Sequence, residues 1–189
     1  MIYAPRDFSA RWLMARLGAL LADCPDAEPW LDTSGRRVDF AETEASIAIE
    51  SSDQPTESDT AIVLGEETLT ALARGDLVRR LPEAPMVVLL QSESTAGWDR
   101  WLENWPDLRR ARTLTFSDAD LALSAAEDGI GVALASPLLA RAALDAGRLV
   151  APWPERALRG RFWMARTTAR ELANEATASV WAWLKRHAA

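Results

Sequence analysis

Histidine and cysteine, on which many metal sites and nucleophilic catalytic groups depend, each occur once in this chain of 189 residues. The histidine, His187, is third from the C-terminus, where chain ends are usually frayed. Clustered zinc ligands, a Cys–His pair and a Ser–His–Asp triad are therefore excluded. The cysteine, Cys24, has no partner for an internal disulfide and is interpreted as a small packing residue. We expect no metal and no cofactor.

Long apolar runs are also missing. No segment reaches the 18 or so apolar residues of a membrane-spanning helix, and no secretory signal peptide is present. With the unpaired cysteine, this predicts a protein of the reducing cytoplasm without a membrane partner. Positive charge is scarce as well: 21 Lys and Arg residues face 28 Asp and Glu residues, a net charge of −7. Such a surface is a poor match for nucleic acid phosphates, so we do not expect this chain itself to hold DNA.

The most regular stretch is FSDADLALSAAEDGIGVALASPLLARAALDAGRLVAPW, residues 116–153. Ser117, with Asp120 three residues later, predicts a capped helix start, and Gly129 predicts its end. Gly129 does not belong to a dinucleotide-binding loop, because the later glycine and the strand-before, helix-after context are missing.

The same stretch continues with a second unit of this kind. Val132–Ala135 predicts a buried strand, and Ser136 with Pro137 predicts a new helix start. Gly147 ends that helix, and Leu149–Trp153 is predicted to return as a strand. Strands and helices in such short alternation are typical of a mostly parallel α/β sheet.

Ligands of such sheets bind at the carboxyl ends of the strands, where helices begin with free backbone N–H groups. Ser117 and Ser136 both occupy such positions. The alternative is that each hydroxyl only caps its own helix.

The remaining elements follow from apolar periodicity and turn residues. Strands are predicted at residues 2–4, 30–31, 46–49, 61–64, 86–90, 114–116 and 161–165. Helices are predicted at residues 8–22 with Asp7 as cap, after the turn Thr33–Ser34–Gly35, and at residues 66–73, 77–81 and 171–185. Trp98, Trp101 and Trp105 recur at helical spacing, which indicates a core or an interface rather than a surface for stacking bases.

Four blocks carry a family resemblance: FSARWLMARLGALLADCPD, LDTSGRRVDFAETEASIAI, FSDADLALSAAEDGIGVAL and LLARAALDAGRLVAPW. Together they resemble the effector-binding domain of LysR-type transcriptional regulators, most closely the subgroup of glycine-cleavage and β-lactamase activators. The resemblance implies an α/β fold of two Rossmann-like lobes, as in type 2 periplasmic binding proteins. Lobe I would comprise residues 1–60 and 161–189, and lobe II residues 61–160. A small-molecule effector would bind in the cleft between the lobes.

The resemblance also implies the effector contacts and a dimer. Family members hold a commonly anionic effector with hydroxyls and helix N-termini, which here correspond to Asp7, Phe8, Thr33, Ser34, Phe116, Ser117, Ala135 and Ser136. Family domains form antiparallel homodimers, for which the helix Phe8–Leu21 and the helix Asp118–Asp128 are the candidate surfaces. The alternative is that both helices only cover their own sheets.

Three positions depart from the family pattern. Asp7 stands where a serine or threonine is usual, Glu50 where an arginine is common, and Ser46 where an aspartate is usual. A carboxylate at position 7 would occupy its own helix N-terminus and repel an anion. We therefore expect a cleft that prefers a neutral, zwitterionic or cationic ligand, or one that has drifted from effector binding.

A complete regulator of this family begins with a winged helix-turn-helix, whereas this sequence opens with Met1 almost on the first strand. The chain is expected to reach DNA only through such a module, either as an excised part of a longer protein or as a free-standing sensor lobe. A solute-binding protein of the same fold is a second interpretation, which the missing signal peptide disfavours. An enzyme on this scaffold is a third, which the shortage of histidine and cysteine disfavours.

Overall fold

The computed structural model describes residues 1–33, 38–80, 88–93, 97–104 and 111–188. Packing divides the chain into two compact units. Unit 1 comprises Met1–Glu67 and Gly160–Ala189, and unit 2 comprises Thr68–Arg159. The lobe limits expected from the sequence, 60/61 and 160/161, stay a prediction. No helix among the described residues has the length and apolar character needed to cross a bilayer.

Unit 1 is built on one sheet. Its strands are β1 (Ile2–Tyr3), β2 (Leu31–Asp32), β3 (Ile47–Ser52), the first part of β4 (Ala61–Leu72) and most of β8 (Leu158–Arg166). The order across the sheet is β2, β1, β3, β8, β4. Strand β1 pairs in parallel with β2 and β3, and β8 runs antiparallel to β3. The carboxyl ends of β1, β2 and β3 therefore lie at the same edge of the sheet.

The first helical segment of unit 1 changes its winding along its length. It comprises α1 (Arg6–Phe8), a π-helical turn (Ser9–Leu13), a 3-10 turn (Met14–Arg16) and α2 (Leu17–Asp23). The N–H of Met14 donates to the carbonyl of Ser9, five residues back. Such widened turns are a known irregularity of helices. The sequence predicts one regular helix here and gives no signal of the irregular turn.

Aromatic rings hold this helical segment in the core of unit 1. The Phe8 ring packs against Trp12 and Trp163, each with centroids 4.9 Å apart. Trp12 also meets Trp183 edge-on, with centroids 6.2 Å apart. Because Trp163 is on β8 and Trp183 is near the C-terminus, these contacts fix the start of the helical segment against the sheet.

Unit 2 has a second sheet, formed by the last part of β4 with β5 (Val88–Ser92), β6 (Arg112–Phe116) and β7 (Val132–Ala135). The order is β4, β7, β5, β6, in which β5 is parallel to both neighbours and β7 is antiparallel to β4. Its helices are α3 (Gly75–Arg80), α4 (Trp98–Trp101), α5 (Ala119–Glu127) and α6 (Pro137–Asp145). Short 3-10 turns cover Leu102–Asn104 and Pro154–Arg156.

The tryptophan pair of α4 belongs to the core of unit 2, as predicted. Trp98 and Trp101 meet edge to face with centroids 5.3 Å apart, and both are buried. The indole Nε1 of Trp98 donates to the carbonyl of Leu90 at 3.0 Å, which ties α4 to β5. Trp105 lies outside the described residues. The stripe is therefore packing, as its helical spacing indicated.

The predicted helix at residues 66–73 is wrong, because residues 66–72 belong to β4 and Ala73 forms a bridge to Val150. Thr70 pairs with Ala135 and Leu72 with Ala133 of β7. Glutamate, leucine and alanine favour a helix locally, but the pairing of residues 70–72 with β7 and the burial of residues 69–73 outweigh that weak preference.

Three further predictions are corrected near chain turns. Residues 149–153, predicted as a strand, form only a single bridge, Val150 to Ala73, because the prolines at 152 and 154 cannot donate to a ladder.

The predicted closing helix is two helices, α7 (Ala169–Leu172) and α8 (Glu175–His187). The Asn174 side chain caps the second helix by accepting from the Thr177 N–H at 3.0 Å.

The helix predicted after residue 33 is absent from its described part, residues 38–46. There Asp39 forms a turn instead: its Oδ1 accepts from the N–H of Ala41 at 2.9 Å, and its carbonyl accepts from the N–H of Thr43 at 2.9 Å. In this segment Val38 is buried and Ala41 is exposed.

Candidate functional site

A cavity of about 680 Å³ opens in unit 1 where strands β1, β2 and β3 end. Tyr3 and Pro5 line it from β1 and the following loop, Asp32 from the end of β2, and Glu50 from β3. The volume falls in the range of pockets for small organic molecules. Its location is the one at which parallel α/β sheets bind ligands.

Two forked ion pairs stand at this cavity. Arg161, on β8, donates from Nε to Oδ1 of Asp53 at 2.8 Å and from Nη2 to Oδ2 at 3.3 Å. Arg166, farther along β8, donates from Nε to Oε1 of Glu50 at 2.5 Å and from Nη2 to Oε2 at 3.0 Å. Glu50, Asp53 and Arg161 line the cavity directly. Each guanidinium group therefore uses two of its donors on a protein carboxylate, in the two-pronged geometry that this pairing favours.

The helix start beside the cavity is occupied by a carboxylate. Helix α1 begins at Arg6 with Pro5 as its N-cap residue, so the prediction that Asp7 caps the helix is wrong. Asp7 lies instead in the first turn, is only 6% exposed, and accepts from the N–H of Phe8 at 2.9 Å.

Glu67 is a half-buried acid in the same unit, and sequence reasoning did not single it out. Burial raises the pKa of Glu67 from its ordinary value of 4.5 to about 7, and the Asp7 carboxylate adds to the increase. A methyl group on Gly160 would lie 2.7 Å from the carbonyl oxygen of Glu67, so β8 passes this residue closely. Glu67 was missed because it was predicted on a helix, where no cross-strand neighbour is implied.

The other unit 1 residues predicted to contact an effector differ in accessibility. Phe8 is fully buried in the aromatic core, so its ring is not exposed to a ligand. Thr33 follows β2 and is exposed. Ser34 lies outside the described residues.

In unit 2 the predicted cap at Ser117 is wrong by one residue. Asp118 is the N-cap of α5, and its Oδ1 accepts from the N–H of Leu121 at 3.2 Å. The Ser117 hydroxyl donates to the second oxygen of Asp118 at 3.1 Å. Phe116 ends β6 half-buried, and its carbonyl accepts from the N–H of Glu93 at 2.9 Å.

Ser136 is the N-cap residue of α6, as predicted, and Pro137 follows at the first helical position. Its side chain makes no capping bond, although the residue is only 2% exposed. Among the described residues its hydroxyl oxygen has no hydrogen-bond partner. Ala135, the preceding residue, ends β7 and is buried. An unpaired buried hydroxyl is costly, so this group stands out as a candidate contact for a polar ligand.

Comparison with known families agrees with this arrangement of sheets and helices. The family model described as the LysR substrate binding domain matches residues 1–189. The chain belongs to the LysR substrate-binding domain family. It is thus an effector-binding domain of the LysR type, which confirms the function inferred from the four sequence blocks.

Curated relatives of this LysR domain are transcription regulators. It is 28% identical over 156 residues to the HTH-type transcriptional regulator PerR of Escherichia coli K12, covering 80% of this chain and 52% of PerR. It is 27% identical over 169 residues to the HTH-type transcriptional activator AmpR of Pseudomonas aeruginosa PAO1, covering 86% and 57%. The chain therefore spans about half the length of the curated relatives it matches.

Solved structures of LysR effector domains share the fold. The effector domain of Pseudomonas aeruginosa AmpR matches with a TM-score of 0.71 at 24% identity, over 99% of this chain and 93% of that one. The AmpR effector-binding domain of Citrobacter freundii matches with a TM-score of 0.67 at 21% identity, over 96% and 97%. The predicted two-lobe fold of the type 2 periplasmic-binding-protein kind is confirmed.

Proposed function

We propose that this LysR domain senses a small-molecule effector and transmits its presence to a DNA-reading helix-turn-helix module, without catalysing a reaction. The observation that carries the proposal is the cavity at the carboxyl ends of β1, β2 and β3, in a domain whose family binds effectors. An effector can act in this way only if it binds one conformational state of the domain better than another.

The proposed effector contacts are those expected from the sequence: Asp7, Phe8, Thr33, Ser34, Phe116, Ser117, Ala135 and Ser136. The described members of this set are not among the residues that line the unit 1 cavity, so the cavity and these contacts support the proposal separately. The contribution of Phe8 would come from its backbone, since its ring is buried. Ser136 is supported best, because its buried hydroxyl lacks a partner among the described residues. A ligand oxygen or nitrogen would satisfy that hydroxyl.

The wider setting belongs to the same proposal. We place the domain in a cytoplasmic homodimer, with the segment Phe8–Leu21 and the helix Asp118–Asp128 as the contact surfaces. Leu21 and Leu121, on these two surfaces, are exposed apolar side chains. DNA would be read by the helix-turn-helix part that the names of the curated relatives include. The net charge of −7 supports a division of labour in which this domain does not bind DNA itself.

The Ser136→Ala substitution tests the effector contact, with Thr168→Ala as a matched control. Both residues are hydroxyl N-caps, but only Thr168 makes a capping bond, accepting from the N–H of Glu171 at 3.2 Å. Thr168→Ala should lower stability by about 1 kcal/mol and leave effector affinity unchanged. Ser136→Ala should leave stability equal or higher, because it removes an unpaired buried hydroxyl, and should weaken effector binding about tenfold.

The measurements are thermal unfolding of each variant and calorimetric titration with the compounds that raise the melting temperature in a screen of small metabolites. If Ser136→Ala destabilises the domain as Thr168→Ala does and binds each compound with native affinity, Ser136 is only a structural cap. If no compound in a broad screen stabilises the native domain, the proposal of effector sensing fails.

A further inference from the structure

We infer that Glu67 is a proton-binding residue whose charge state sets the number of negative charges at the start of α1. This inference rests on the proposed function and deepens it, because Asp7, at that helix start, is one of the proposed effector contacts. Three features of unit 1 lead to it: the packing of the Glu67 side chain, the groups that act on its carboxyl, and the environment of Asp7.

The Glu67 side chain lies across β8. A methyl group on Gly160 would be 3.1 Å from Cγ of Glu67 and 2.7 Å from its carbonyl oxygen, so a glycine at position 160 leaves the room that Glu67 takes. Trp163, three residues along β8, acts on the Glu67 carboxyl and packs its ring on Phe8, with centroids 4.9 Å apart. Phe8 directly follows Asp7 in α1. One side chain of β8 therefore connects Glu67 with the segment that carries Asp7.

The groups that act on the Glu67 carboxyl come from α1 and β8. Burial raises the pKa of Glu67 to about 7, and the negative charge of Asp7 on α1 adds to the rise. On β8, the side chain of Trp163 and the backbone N–H of Arg161 lower the pKa, as does the Arg161 guanidinium. That guanidinium is already held by Asp53 through two hydrogen bonds. The charge of Asp7 therefore has more effect on Glu67 than the charge of Arg161 does.

The environment of Asp7 favours its own charge. Asp7 is only 6% exposed, and its Oδ1 accepts from the N–H of Phe8 at 2.9 Å. Such a bond, in the first turn of a helix, stabilises a carboxylate. Glu67 is therefore the member of this acid pair that takes up a proton. As pH rises through neutrality, the start of α1 changes from one negative charge to two.

This proton is linked to ligand binding at the same place. A ligand that interacts with Asp7 changes the free energy of a second negative charge nearby, and so changes the proton affinity of Glu67. By reciprocity, the charge state of Glu67 changes the affinity for that ligand by the same factor. Effector sensing would then depend on pH around neutrality, through a residue that acts by way of Asp7.

The proton itself is the probe, so the test needs no effector. The indole Nε1–H resonance of Trp163, assigned with Trp163→Phe, is followed by NMR in the whole chain from about pH 5.5 to about pH 8.5. In the native chain it should shift with a midpoint at about 7, and in Glu67→Gln this shift should be lost. Glu66→Gln changes the exposed acid next to Glu67 and is the matched control. It should keep a titration of Trp163 near neutral pH.

Asp7→Asn tests the coupling between the two acids. Asparagine keeps an oxygen that can accept from the N–H of Phe8 but carries no charge, so the Trp163 midpoint should move to lower pH. Asp118 is also a carboxylate at a helix start, and it is not among the groups that act on Glu67. Asp118→Asn should therefore leave the midpoint unchanged. Circular dichroism of each variant checks that the fold is kept.

The outcomes distinguish this inference from the proposed function. A Trp163 resonance that does not titrate in the native chain, or titrates equally in Glu67→Gln, would overturn the assignment of the proton to Glu67. An unchanged midpoint in Asp7→Asn would overturn the coupling to α1. Each of these results leaves effector sensing intact. Effector sensing fails separately, if no compound of the metabolite screen stabilises the native domain at pH 6 or at pH 8, and that result would not alter the titration.

Discussion

Replacing Glu67 by glutamine should change how the stability of this domain depends on pH. Glu67 is half-buried in unit 1, and burial, with help from the Asp7 carboxylate, raises its pKa to about 7. In the unfolded chain the same carboxyl would titrate near its ordinary value of 4.5. The folded protein therefore holds a proton that the unfolded chain has already released between these two pH values.

The sign and the size follow from this difference. Because the folded state binds more protons between pH 4.5 and about 7, the free energy of unfolding falls as pH rises through that window. The contribution of Glu67 is fully present below the lower pKa and lost above the upper one. One pKa unit corresponds to about 1.4 kcal/mol, so the shift amounts to a loss of about 3 kcal/mol by pH 8. Glutamine has no proton to release, so Glu67→Gln should be nearly free of this loss.

The assay is urea unfolding from pH 4.5 to pH 8 of the native domain, Glu67→Gln and Glu66→Gln. Glu66, the neighbouring acid, is exposed and serves as the control. Glu67→Gln should exceed the native domain by about 3 kcal/mol at pH 8, and the two should converge toward pH 4.5. Glu66→Gln should not reproduce the gain in stability that Glu67→Gln shows toward pH 8. If native and Glu67→Gln curves run parallel across the window, Glu67 is not a buried acid with a raised pKa.

Two further predictions concern association and backbone packing. Leu121→Lys should weaken self-association at least about tenfold, as measured by sedimentation velocity. Val150→Lys, at an exposed apolar site outside the proposed surfaces, should leave self-association unchanged. A native protein that sediments as a strict monomer would contradict the homodimer. Gly131→Ala should lower the free energy of unfolding by about 2 kcal/mol or more, because its methyl group would overlap the carbonyl oxygen of Val88. Gly18→Ala places its methyl group in open space within α2 and should raise the free energy of unfolding by about 0.5–1 kcal/mol. Equal shifts in melting temperature for the two glycine variants would refute this packing argument.

Local signals predicted much of unit 2 correctly. Gly129 and Gly147 both adopt positive φ, at 77° and 68°, and end helices where the sequence indicated. The start of α6 at Ser136 and the strand β7 are also where they were expected. These features depend on neighbouring residues in the chain, so they can be inferred without knowing the fold.

Other features depend on residues far apart in the sequence. Residues 66–72 have the composition of a helix, yet they form part of β4, and residues 70–72 pair with β7, more than 60 residues later in the chain. Asp53 and Arg161 are 108 residues apart, and only the placement of β8 brings them to one cavity. Phe8 was expected to contact an effector, but contacts with Trp12 and Trp163 bury its ring.

The sequence by itself determined the family, the alternation of strands and helices, and the presence of a carboxylate at position 7 where a hydroxyl is usual. These follow from residue identity and short-range spacing. Only the tertiary structure decided which charges meet. The pairing of Arg161 and Arg166 with carboxylates, the raised pKa of Glu67 and the Ser136 hydroxyl, which has no partner within the described part of the chain, all arise from burial and from contacts between distant segments. No local pattern records them.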